Sequence, residues 1–155
     1  MGFLTQFFGS FYSANCYAQL RQPGRSYGAA YSITLFLLTM AAVFAVMLVH
    51  IPAGVEPKLV AHVRATPIEG WLLIIGIAAP LRALMLLTLA IAARLQVIRK
   101  NPMDYATAWR FVGVAYTPVA VADAAVFCAH GYMANPLLLF VLGYMMLLAA
   151  LRATR

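Results

Sequence analysis

Two ionised side chains sit where a chain this apolar has least use for them. Arg82 interrupts the run from Trp71 to Ala93, which carries no other charge. An ionised group near the middle of a membrane helix costs at least ~2.5–3.5 kcal/mol on insertion scales, so it needs a partner, water or a task. Of the four acidic residues, Glu56, Glu69, Asp104 and Asp123, Asp123 is the one placed inside an apolar segment. Tyr116, Asp123 and His130 follow one another at intervals of seven and share one helix face. A Tyr–Asp–His series of that kind relays protons or holds an ion. Arg82 and Asp123 together make an intramembrane ion pair, which in the plainer reading fixes how two helices pack.

No catalytic constellation accompanies these residues. The chain has no nucleotide-binding glycine loop, no Gly-x-Ser-x-Gly elbow and no Ser/His/Asp set at compatible depths, so the expectation is that it is not an enzyme and takes no cofactor. Cys16 and Cys128 are far apart, and His50, His62 and His130 are scattered, which is no metal-ligand spacing. Net charge is +7. No basic face or binding motif accompanies it, so nucleic acid is not an expected partner.

The elements that carry these residues follow from composition. In 155 residues, 65% are hydrophobic and 10% charged, against roughly 25% charged in an ordinary soluble domain. A membrane helix needs about 20 apolar residues at 1.5 Å rise. Residues 31–50, 70–93, 111–130 and, more briefly, 136–151 meet or approach that length. The expected fold is all-α: a polytopic membrane protein, one membrane domain over 1–155, with four transmembrane helices and an N-terminal amphipathic interfacial helix over 3–20. In that first segment Phe7, Phe8 and Phe11 form an aromatic stripe at helical spacing, and Arg21 and Arg25 follow where anionic headgroups would meet them. Residues 56–64 read as a short surface helix with Leu59, Val60 and Val63 turned to the membrane. Asp104, after Asn101 and Pro102, is a helix-start signal. Pro80 and Pro118 fall inside spans two and three, where each removes a backbone bond.

Basic residues orient the spans. Arg21, Arg25, Arg94, Arg99, Lys100, Arg110, Arg152 and Arg155 gather on one side, against Lys58 and Arg64 on the other. The positive-inside rule then puts both termini in the cytoplasm. Span two enters from outside at Trp71, so Arg82 lies ~16 Å below that interface, and Asp123 lies ~20 Å above the entry of span three at Arg110. The levels differ by ~6 Å, which an arginine side chain bridges.

Two stretches carry a family resemblance. The first is Phe7, Phe8, Gly9, Ser10, Phe11, Tyr12 through to Tyr17, followed by Gln22, Pro23 and Gly24. The second runs from Tyr105 through Trp109, Arg110 and Phe111 to Ala115, Tyr116, Thr117 and Pro118. Together they resemble an uncharacterised family of bacterial inner-membrane proteins distantly related to the Yip superfamily of GTPase-interacting membrane proteins. Arg110, Tyr116 and Pro118 are the positions that match the signature. The first external loop is shorter than in the bacterial relatives, and the spans are fewer than in eukaryotic Yip proteins. The resemblance implies a helical bundle in the bacterial inner membrane, without enzymatic role, acting through partners.

Three functions are compatible with these features. The leading expectation is a non-catalytic accessory or assembly subunit whose partners are membrane lipids and either another integral membrane protein or copies of itself. The second is a small oligomeric transporter or channel component moving an ion, a proton or an anionic substrate past Arg82, Tyr116, Asp123 and His130. The third, resting on the interfacial segment, is a lipid-binding or membrane-shaping protein.

Overall fold

A computed structural model describes residues 2–20, 28–50, 55–97, 104–132 and 134–153. All regular structure among them is helical. Three helices are long and apolar enough to cross a membrane, with apolar stretches of 20, 29 and 26 residues at Ala30–Val49, Pro67–Leu95 and Tyr105–His130. They belong to α3 (Gly28–Val49), α5 (Pro67–Val97) and the pair α6 (Tyr105–Ala115) and α7 (Thr117–His130). Among the described residues the protein is therefore all-helical, with three helices of membrane-spanning character. The fourth apolar segment forms α8 (Pro136–Ala153), whose apolar part, Pro136–Arg152, is shorter than the other three. Before the spans come α1 (Phe3–Tyr12) and α2 (Ala14–Leu20), and α4 (Pro57–Ala65) lies between α3 and α5.

Helix ends are made by the residues whose chemistry suits them. Asp104 caps α6, its Oδ2 accepting the Thr107 N–H at 3.2 Å. Gly131 ends α7 in the left-handed region at φ 72°, its N–H returning to Phe127 O at 2.7 Å. Asn135 caps α8 through Oδ1 and the Leu137 N–H at 2.9 Å, with Pro136 at the first helical position. Arg64 of α4 donates Nε–H to the Met47 carbonyl at 3.0 Å, covering an orphan acceptor at the end of α3.

Pro80 and Pro118 behave differently. Helix α5 continues through Pro80. At Pro118 the third span divides into α6 and α7, with Tyr116 between them. Thr117 Oγ1 donates to the Gly113 carbonyl at 3.3 Å, so a side chain supports the backbone beside the break.

Two apolar clusters hold the helices. The larger joins Cys16, Tyr17 and Leu20 of the N-terminal helices to Leu35, Leu89, Phe111, Val114 and Leu147. The smaller joins Val43 and Met47 of α3, Val60 and Val63 of α4 and Phe127 of α7. Leucine 59 is partly exposed, whereas Val60 and Val63 point into the bundle and not, as expected, to the membrane. The reason is the tight corner between α4 and α5: Gly70 lets α5 meet the Val63 backbone, since a Cβ there would stand 2.9 Å from Val63 Cα.

The N-terminal segment is two helices where one continuous helix over 3–20 is expected. Ser13 breaks it, with extended backbone at φ −110° and ψ 104°, and its Oγ accepts the Cys16 N–H at 3.2 Å to start α2. The aromatic stripe is also split. Phe3 and Phe7 pack on the core, Phe3 reaching Tyr31 at 5.1 Å between ring centroids, while Leu4, Phe8 and Phe11 face outward. Tyr17 Oη donates to the Ser10 carbonyl at 2.7 Å and closes α2 back on α1. Arg21 and Arg25, expected at the headgroups, lie outside the described residues.

The α4–α5 corner is testable. Gly70→Ala should cost about 1–3 kcal/mol of stability by overpacking, read as a lower Tm in detergent. Gly76→Ala, whose Cβ meets nothing within 4 Å, should leave Tm unchanged or raise it. The α6 cap has a pH signature. Hydrogen bonds from Thr107, side chain first, hold the Asp104 carboxyl below its ordinary value. The cap's contribution is thus fully present above the unfolded value of ~3.9 and is lost as pH falls through the lowered folded value. Asp104→Asn, which keeps an acceptor but does not titrate, should flatten Tm against pH in that acid window.

Candidate functional site

The intramembrane polar groups converge where the third span breaks. Tyr116, between α6 and α7, is almost completely buried, at 2% exposure. Arg82 comes to it from α5. Its guanidinium carbon stands 4.5 Å from the Tyr116 ring centroid, and one terminal nitrogen donates to Tyr116 Oη at 3.2 Å. The ring face is the negative pole of the aromatic quadrupole, so it accepts the cation without a counter-charge in contact; such contacts are worth ~2 kcal/mol or more when desolvated.

Helix α8 closes the site from another side. A Cβ at Gly143 would lie 2.9 Å and 3.0 Å from Tyr116 ring carbons and 3.2 Å from a Leu89 methyl. Glycine here lets the α8 backbone press against the phenol, as small residues do in membrane helix interfaces. Tyr116 therefore takes part in three contacts: Arg82 of α5, Gly143 of α8, and the break in its own span.

The expected Arg82–Asp123 ion pair is not formed. Asp123 Oδ1 instead accepts the Ala134 N–H at 3.2 Å. Ala134 precedes the α8 cap, so the carboxylate sits at the positive end of that helix, where an anion is favoured. The two charges remain close enough to interact through space, without contact. Depth along the membrane normal was the basis of the pairing, and depth leaves the direction around each helix axis open. Arg82 turned toward α6, and Asp123 toward the start of α8.

The stripe of Tyr116, Asp123 and His130 divides accordingly. Tyr116 is buried, Asp123 half-buried and His130 exposed. Among the described residues no hydrogen bond joins any two of the three; Tyr116 serves Arg82 and Asp123 serves the Ala134 backbone. Their shared spacing crosses the α6–α7 break, which sets the groups to different tasks.

A second polar joint lies beside the first. Tyr31 Oη and Thr117 Oγ1 are 2.7 Å apart and both side chains are buried. Since Thr117 donates to Gly113, Tyr31 is the donor of that bond, and the chain Tyr31–Thr117–Gly113 fastens α3 to the break. Arg110 donates to the Leu20 carbonyl at the end of α2, tying the N-terminal helices to α6. Arg110, Tyr116 and Pro118, the three signature positions, are thus all joints of one assembly.

Sequence reading missed Tyr31, Thr117 and Gly143. The first two announce themselves as hydroxyls in otherwise apolar helices. Gly143 shows only as a missing side chain, and its role appears once Tyr116 is placed against it.

Comparison of the chain with protein-family models, curated proteins and solved structures gives no match. The Yip-related resemblance rests on the quoted residues alone.

Double-mutant cycles in detergent separate the two pairings. Arg82→Met with Tyr116→Leu should show coupling of about 1–2 kcal/mol, as residues in contact do. Arg82→Met with Asp123→Asn should be additive within about 0.5 kcal/mol. A larger coupling to Asp123 than to Tyr116 would restore the ion pair as the organising contact.

Proposed function

We propose that this protein is a non-catalytic accessory or assembly subunit of the bacterial inner membrane, with four spans and both termini cytoplasmic, that binds another integral membrane protein along α5. The observation that carries this reading is how little of α5 its own chain covers. Only 11% of the α5 apolar window is buried inside the molecule, against 22% for α3 and 56% for the third span. Gly76, Ile77, Pro80, Leu81, Ala83 and Leu84 are all exposed on it, and small residues on an apolar helix are what close helix–helix approach in a membrane requires.

The polar groups support the same reading. Arg82, Tyr116, Asp123, Tyr31 and Thr117, the side chains from which a transport path would be built, are engaged in holding helices together. The N-terminal helices support a cytoplasmic-leaflet contact, because Leu4, Phe8 and Phe11 remain outward after Phe3 and Phe7 have packed. The basic residues gathered on one side support the orientation, and the resemblance at Arg110, Tyr116 and Pro118 supports action through a membrane partner.

Purification under native conditions in a mild detergent tests this. The expected result is one integral membrane protein at fixed stoichiometry, lost on Gly76→Leu combined with Ala83→Leu while Tm is unchanged. A homogeneous particle of this chain alone, indifferent to both substitutions, would rule the docking reading out.

A further inference from the structure

A guanidinium carries five N–H donors, and Arg82 spends one of its terminal nitrogens on Tyr116 Oη. The side chain is only half-buried, so the remaining donors are not sealed off by the bundle. Tyr116 Oη is the acceptor in that bond, and among the described residues its own proton has no acceptor. Among the described residues no carboxylate touches the cation; Asp123 Oδ1 accepts the Ala134 N–H instead. A cation and a hydroxyl proton with unused donor capacity thus lie side by side within the apolar bundle, with the positive charge balanced only by a ring face and by a carboxylate at a distance.

We propose that Arg82 and Tyr116 form a two-donor seat for an oxyanion. The planar fork of arginine matches the paired oxygens of a carboxylate or phosphate, and the tyrosine hydroxyl supplies a neighbouring donor. Those oxygens belong equally to a small soluble carboxylate and to a lipid phosphate drawn inward by the charge. Asp123 opposes the ligand through space and keeps the seat weak. The seat does not depend on docking along α5, and the two fail separately: one by loss of a partner protein, the other by loss of anion binding.

The test uses the full chain in dodecyl maltoside, a detergent without phosphate, with unfolding followed by the fluorescence of Trp71 and Trp109. Sodium acetate is titrated against sodium chloride at matched ionic strength, and in a second arm dilauroyl phosphatidylglycerol is added. A ligand that binds only the folded state raises Tm saturably. The expected result is such a rise in one arm, acetate identifying a soluble anion and phosphatidylglycerol a lipid phosphate. In that arm Tyr116→Phe, which keeps the ring under Arg82, should need about tenfold more ligand, the worth of one charge-assisted hydrogen bond. Arg82→Gln should abolish the rise. Asp123→Asn, which keeps the acceptor for Ala134, should lower the half-saturating concentration. The unliganded melting curve of Tyr116→Phe reports that this variant is folded. No saturable rise in either arm, or a rise unchanged in both Tyr116→Phe and Arg82→Gln, overturns the proposal.

Discussion

An arginine in hydrocarbon must be answered before anything else in the bundle can be settled, and here an aromatic ring answers it. The guanidinium of Arg82 lies over Tyr116 and bonds to its hydroxyl. For the ring to be there, the third span has to present it at a set depth and angle, which the break at Pro118 does. For the ring to stay, α8 has to come close, which Gly143 permits. The helix break, the small residue and the charge are consequently one arrangement.

Asp123 shows the complementary solution. Its charge is met by a backbone N–H and by the amino end of a helix, with no cation in contact. Desolvating two full charges against each other often costs as much as their attraction returns. Placing each beside a dipole or quadrupole avoids pressing them together, and it lets each fix a separate joint. Arg82 connects α5 to α6, and Asp123 connects α7 to the entry of α8. The Tyr31–Thr117 bond adds α3 to the same region, so the polar side chains of three spans are used where those spans meet.

What could be read in advance follows from how far each signal reaches. The expected spans at 31–50, 70–93 and 111–130 fall within or overlap the long apolar helices at Ala30–Val49, Pro67–Leu95 and Tyr105–His130, because an apolar run of membrane length has few other fates. Asp104 was legible as a helix start because capping is local chemistry. The partner of Arg82 was not, because depth places a charge along one axis only, and because a ring face and a backbone amide carry no sign that composition reveals. The inward turn of Val60 and Val63 was hidden for a related reason: a helix pattern identifies an apolar face without saying which neighbour covers it. The division of the N-terminal segment turned on Ser13, a residue equally at home at a break or on a solvated face.

The Asp123–Ala134 bond has a consequence for the surrounding lipid. Helix α7 runs on for about two further turns beyond Asp123, yet four residues after His130 the chain is already back beside that carboxylate. Helix α8 therefore starts low and offers 18 residues, ~27 Å, beside an α5 of 31 residues, ~46 Å. Hydrocarbon ~30 Å thick exceeds α8 by only a few ångströms and falls well short of α5. For α8 to cross it as a span, the bilayer there has to be slightly thinner than average, while α5 accommodates by tilting. The two helices thus ask different thicknesses of one bilayer, and a neighbour lying along α8 would relieve the difference.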